Sequence, residues 1–207
     1  MISMDDIEYY LPKYLSVESQ PKLFNELNDF PSNIDQRMYS VIPHGDNIIF
    51  QGDGLSDLLV INFPDKHIQA VPSMVLSNTC DIDIANKRML EANIIYVPII
   101  AIQKYRSLLL SVDVYSETSI ESHIESIRKQ RITSIFYLPP SDNISTESMV
   151  FLDRINNYSN TYLPRECISS RRLFSLSQYG HYLFLIKLSI HFTRIQEKID
   201  RSEGLQS

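Results

Sequence analysis

Residues Val60–Asp81 read VINFPDKHIQAVPSMVLSNTCD. Two short apolar runs flank a charged connection, Pro64-Asp65-Lys66-His67. β-branched and aliphatic residues bounded by Pro, Asn and Asp favour strands, so the stretch predicts two neighbouring strands. The second strand breaks into Ser77-Asn78-Thr79-Cys80-Asp81, where hydroxyl, amide, thiol and carboxylate groups are crowded together. Loops at the ends of rigid strands are common places to present chemistry.

Outward from this stretch, further runs read as strands: Ile48-Ile49-Phe50, Leu58–Ile61, Ser73–Leu76, Asn93–Ile102 and Leu108–Val114. They are short and evenly spaced, which suggests a small antiparallel barrel or a strongly bent sheet over residues 41–115. Residues 1–40 read as helical: Pro12 stops a first run, Ser19 or Pro21 opens a second, and Leu23, Phe24 and Leu27 form its inner stripe. A helix over Ser119–Arg131 presents Ile120, Ile124 and Ile127 on one face and pairs Glu125 with Lys129 at i,i+4. Ile132–Leu138 and Met149–Leu152 read as strands, Asn156–Asn160 as loop. The clearest helix is Leu176–Arg201, where Leu185, Leu188, Phe192, Ile195 and Ile199 recur at three- and four-residue steps. The expected class is therefore α+β: an antiparallel barrel core, N-terminal helices, and a 116–207 half packed on it as one domain.

The resemblance that these runs carry is to the MazF/PemK-like toxin family, whose fold is a small SH3-like barrel. Its opening strand ends in Asp-Phe, and Ser56-Asp57-Leu58-Leu59-Val60-Ile61-Asn62-Phe63 stands in that place. Its Arg-Pro, apolar strand and Ser-Asn are matched by Val71-Pro72-Ser73-Met74-Val75-Leu76-Ser77-Asn78, except at the arginine. Its later Val-Ala-Pro-Ile strand is matched by Tyr96-Val97-Pro98-Ile99-Ile100-Ala101. The resemblance covers residues 56–102 and implies an SH3-like barrel in a prokaryotic toxin–antitoxin or phage-defence setting. Such toxins cut single-stranded RNA with the arginine and a hydroxyl at the end of the later strand. A fixed cation stabilises the charge that builds on the phosphate. Val71 occupies the arginine position and Ile100-Ala101 the hydroxyl position, and neither can supply a charge or a proton. The resemblance thus implies a non-catalytic module that binds protein or RNA. An endoribonuclease with a rebuilt site is the alternative; it would set Ser77–Asp81 against Arg88, Arg106 or Arg128, with Lys66 and His67 as other cations.

Bulk chemistry sets further bounds. The chain has 207 residues, 43% of them hydrophobic, and a net charge of -6, which argues against a broadly basic nucleic-acid surface. Five glycines include no glycine-rich phosphate loop. Two cysteines and five scattered histidines offer no zinc spacing, and the aspartates are not paired at magnesium spacing, so no metal or cofactor is expected. Two thiols and an acidic, polar N-terminus point to a reducing cytoplasm. The apolar window Leu183–Phe192 is interrupted by Lys187 and too short to span a bilayer. Expected partners are a protein, RNA or a second copy of the chain, and no membrane.

Three readings of Ser77–Asp81 remain open. Its side chains can bond nearby backbone while Cys80 enters the core. Ser77, Asn78, Thr79 and Asp81 can form a binding rim. Cys80 can be a nucleophile served by His44 or His67, with Asp81 and Arg88 as further catalytic candidates. Arg128-Lys129-Gln130-Arg131 reads as a helix C-terminus whose cations complement the dipole, or as a phosphate patch formed by Arg128 and Arg131 with Tyr137 as a stacking surface. Arg171-Arg172 reads as a solvated loop, Asp153-Arg154 as a local pair, and Lys187 as a lysine that snorkels or finds a carboxylate.

Overall fold

The computed structural model describes residues 30–32, 34–41 and 47–193. The expected N-terminal helices and His44 lie mostly or wholly outside these. In chain order the elements are α1 (Ile34–Arg37), β1 (Gly54–Ile61), β2 (Ile68–Val75), α2 (Thr79–Ile82), β3 (Asn93–Ala101), α3 (Ile102–Ser111) and α4 (Glu117–Arg128). Then come β4 (Ile135–Leu138), β5 (Ser148–Phe151), β6 (Asn156–Ser159), two 3-10 turns (Asn160–Tyr162 and Arg165–Cys167), α5 (Ile168–Arg171), β7 (Arg172–Phe174) and α6 (Gln178–Thr193).

The fold is α+β, with one seven-stranded antiparallel sheet in the order β4-β5-β3-β2-β1-β7. β3 is its axis. Its first half pairs with β6, Asn93 opposite Ser159, and its last residues pair with β5, Ala101 opposite Ser148. On its other edge Tyr96, Val97 and Pro98 pair with β2. The sheet is open: no backbone ladder joins its ends among the described residues. The free edge of β1 is instead met by side chains. Ile61 N donates to Asn156 Oδ1 at 2.9 Å, and the Tyr96 hydroxyl donates to Leu59 O.

Strand alternation divides the apolar residues between two cores. Met74, Leu76 and Val97 face α4, α6, β4 and β5, while Val75, Ile94 and Tyr96 face β1, α2 and α5. In β1 a bulge at Ser56-Asp57, with Asp57 at φ 59°, resets the alternation so that Leu55 and Leu58 both enter the second core. The Arg171 guanidinium clamps that bulge, donating to Ser56 O at 2.9 Å and Asp57 O at 2.8 Å. Arg172 opens β7 and reaches the buried Asp53 carboxylate at 3.2 Å. The pair expected in a solvated loop therefore ties the chain's last strand to its first.

Several expectations are corrected. Leu108–Val114 is not a strand. Ile102, Tyr105 and Leu109 are spaced for a helix and contact the first core, and the extra exposed leucines Leu108 and Leu110 hide that period. Ile48-Ile49-Phe50 is irregular and runs into a turn at Gly52, whose φ of 90° suits glycine. Asn156–Asn160 is largely strand β6, silent in sequence because it is mostly polar: Tyr158 is its one residue packed on an apolar core, and the other buried position is held by Asn156. The Glu117–Arg128 helix starts from a Ser116 cap and keeps the Ile120, Ile124, Ile127 face and the Glu125–Lys129 pair at 3.0 Å. Arg154 does not pair with Asp153; it lies 4.2 Å over the Phe151 ring.

Lys187 is 6% exposed on α6 and meets no carboxylate among the described residues. Its Nζ donates to Gln130 O at 2.9 Å and Ile132 O at 2.5 Å, holding the connection that leaves α4. That connection turns at Gln130, φ 55°, whose amide bonds both Tyr137 N (3.1 Å) and Tyr137 O (2.9 Å). A side-chain amide thus takes the place of a neighbouring strand and seals the outer edge of β4. Burial lowers the Lys187 pKa to about 8.

Candidate functional site: the two ends of strand β3

The polar cluster and the basic residues lie at opposite ends of β3. Ser77 bonds to Ile95 near its start, and Ile102 follows its last residue. Seven residues of strand separate the two by roughly 23 Å. The cleft that would join Ser77–Asp81 to Arg106 or Arg128 is therefore not formed.

At the first end, Ser77, Asn78 and Thr79 each bond a backbone N–H. Ser77 is buried; its Oγ accepts from Ile95 N at 2.7 Å, while Leu76 N and Ser77 N both reach Ile95 O. Asn78 caps α2, its side chain accepting from Cys80 N at 2.9 Å. Thr79 Oγ1 accepts from Gln51 N at 3.0 Å, and Gln51 Nε2 donates to Leu76 O at 2.8 Å. The last carbonyl of α2, Ile82 O, accepts from Asn160 Nδ2 at 2.9 Å and from buried Arg165 at 2.8 Å. Asp81 pairs with Arg88 at 2.5 Å on the surface. Cys80 is exposed rather than buried in a core, and no histidine bonds its sulfur among the described residues. His67 sits in the β1–β2 hairpin, its backbone N–H on Asp65, and His181 contacts Gln51 at 3.4 Å. Burial lowers the His181 pKa.

At the second end, α3, α4 and the loop before β5 enclose a cavity of about 570 Å³. Ile102, Gln103 and Arg106 come from the first turns of α3; Glu121, Ile124 and Arg128 share one face of α4 at i, i+3 and i+7. Pro140, Ser145, Thr146 and Glu147 complete the wall. Ile102 N donates to Glu147 O at 2.9 Å, which fixes the loop against the helix start. Arg128 forks onto Glu147, Nε and Nη2 each at 2.7 Å, and the Tyr137 hydroxyl adds a third bond to the same carboxylate at 2.9 Å. The Arg128 hydrogen bond therefore holds the Glu147 pKa below the ordinary carboxylate value, burial opposing it, and Tyr137 lowers it further. Arg106 is likewise engaged, by Glu121 at 2.6 Å and Glu117 at 2.9 Å. The neutral side chains Gln103, Ser145 and Thr146 are exposed and have no hydrogen-bond partner among the described residues.

Of the residues singled out in sequence, Ser77, Asn78, Thr79, Cys80, Asp81 and Arg88 gather at the first end, and Arg128 and Arg106 at the second. Arg131 is exposed beyond α4 and does not line the cavity; Lys66 and His67 are exposed between β1 and β2. Tyr137 is 3% exposed and offers no stacking surface. Glu121, Gln103, Ser145, Thr146 and Glu147 were not legible as a site, because they come from three segments. The one local signal was the shared α4 face of Glu121, Ile124 and Arg128.

Among the described residues no group of three His, Cys, Asp or Glu side chains is placed to hold a metal, and no helix is long and apolar enough to cross a membrane. No known family model matches the chain, and no curated protein matches it.

Proposed function

We propose that the protein is a non-catalytic binding module built on the PemK-like barrel plan, working through a protein partner in a toxin–antitoxin or phage-defence setting. The carrying observation is the state of its cations. Both arginines at the cavity are engaged by carboxylates of the same chain. The positions that the resemblance assigns to arginine and hydroxyl hold Val71 and Ile100-Ala101. A phosphate would have to displace Glu147 from a fork that Tyr137 reinforces, or Glu117 and Glu121 from Arg106. Tyr96 and Asn156, reaching across to β1, support the barrel part of the reading, because they bring β3 and β6 to the edge that a closed barrel would pair.

The full-length protein incubated with labelled single-stranded RNA tests the reading. No cleavage is expected. Cleavage that disappears in Arg106→Ala or Arg128→Ala overturns it in favour of a rebuilt endoribonuclease, and cleavage that disappears in Cys80→Ala in favour of a cysteine enzyme.

A further inference from the structure

Among the described residues two cations are buried, Lys187 and Arg165, and neither pairs with a carboxylate. Lys187 spends its ammonium on two carbonyls. Arg165 is 8% exposed and uses one nitrogen of three. Its Nη2 donates to Ile82 O at 2.8 Å and to Asn160 Oδ1. Nε and Nη1 are closed off from solvent and have no partner. Leu163 and Ile168, on either side of Arg165 in the chain, are 2% and 0% exposed in the second core, so the guanidinium is held against apolar surroundings. A buried cation with unused N–H groups and no counter-charge is costly. From this imbalance we infer that Arg165 binds a small monovalent anion of the size of chloride, held against Nη1.

The groups around Arg165 do not balance it. Asp83 acts on it electrostatically, but that carboxylate is exposed and its Oδ1 accepts from Ala85 N at 2.9 Å. Tyr158, the other titratable group near it, is a phenol whose pKa burial raises, so it carries no charge at neutral pH. Ile82 O, the last carbonyl of α2, offers only a partial negative charge. A water against Nη1 would accept a hydrogen bond but leave the charge unbalanced, and its own hydrogens would need acceptors. Ile82 O already accepts from both Asn160 Nδ2 and Arg165 Nη2. Enclosure selects by size. A phosphate, or a carboxylate on a partner, reaches Nη1 only if α2 and the Arg165–Cys167 turn part, whereas a single-atom anion needs the least room. The site lies apart from the cavity between α3 and α4 and does not depend on the binding-module reading.

The thermal midpoint of the full-length protein tests the inference, with sodium chloride replacing sodium gluconate at constant ionic strength. The midpoint is expected to rise saturably, by about 3 °C at a chloride concentration ten times its Kd, and to stay level in Arg165→Gln. The same wild-type midpoint in both salts, or an equal rise in Arg165→Gln, overturns the inference. Crystals of the wild-type protein grown in sodium bromide decide the matter without a variant, should Arg165→Gln fail to fold. An anomalous bromide peak against Arg165 Nη1 is expected; a water there, or bromide only at other places, overturns the inference. Either way the binding-module reading stands, because it is tested by RNA cleavage.

Discussion

The two ends of β3 use polar side chains in opposite ways. At the Ser77–Asp81 end, the polar atoms serve backbone: Ser77 completes a strand pairing, Asn78 caps a helix and Thr79 holds the Gln51 amide. At the cavity end, charged side chains hold one another, and three exposed neutral ones bond no other side chain or backbone among the described residues. Density of polar residues in sequence therefore marks a stretch whose side chains largely bond backbone, while the residues that line the cavity are scattered over three segments. An unmade hydrogen bond on buried backbone is costly, so a crowded polar turn is consumed locally before it can act on anything else.

The sharpest way to break this contrast is Ser77→Ala. It leaves the Ile95 amide without its partner on a partly buried strand, and a loss of about 1 kcal/mol is expected by chemical denaturation. A loss below about 0.5 kcal/mol would return the cluster to the list of sites. The second variant is Arg128→Ala, expected to cost about 1 kcal/mol at neutral pH because the Arg128–Glu147 pair is partly exposed. Glu147 carries a lowered pKa when folded, so its contribution is present above the unfolded value near 4.5 and is lost as pH falls through the folded one. The acid limb of the stability profile should accordingly flatten in Arg128→Ala; an unchanged limb would mean that the pair does not organise the cavity.

Lys187 tests the support behind the cavity. Its pKa is lowered from 10.5 to about 8, so between these values the unfolded chain binds more protons than the folded one. Stability should rise with pH across that window, by less than the shift alone implies, because two carbonyls favour the charged form. Lys187→Met should remove the alkaline rise, and a rise that persists would assign it to another group. The smallest effect is expected for Asp81→Asn. Its pairing with Arg88 is exposed on both sides, so stability should change by less than about 0.5 kcal/mol by chemical denaturation.

Much of the sheet was legible, because strands with a buried face repeat every second residue. Leu58–Ile61, Asn93–Ile102 and Ile132–Leu138 mark β1, β3 and β4 within a few residues. β6 was not legible, since pairing along an edge asks little of side chains. α3 was misread as a strand, since three consecutive leucines carry both periods at once. At the site, Arg128 and Arg106 could be named, but not their engagement by Glu147, Glu117 and Glu121, which are 11 to 19 residues away.

The sequence by itself determined the α+β class, the apolar stripe of α4, and the absence of arginine and hydroxyl at residues 71 and 100–101. These follow from periodicity and residue identity, which need no knowledge of what lies across the chain. Only the tertiary structure decided that Ser77, Asn78 and Thr79 bond backbone, that Lys187 ties α6 to the end of α4, and that Arg106 and Arg128 are neutralised. Those outcomes depend on which backbone groups lack partners and which charges become neighbours. Both are set when β3 places its two ends on opposite sides of the sheet.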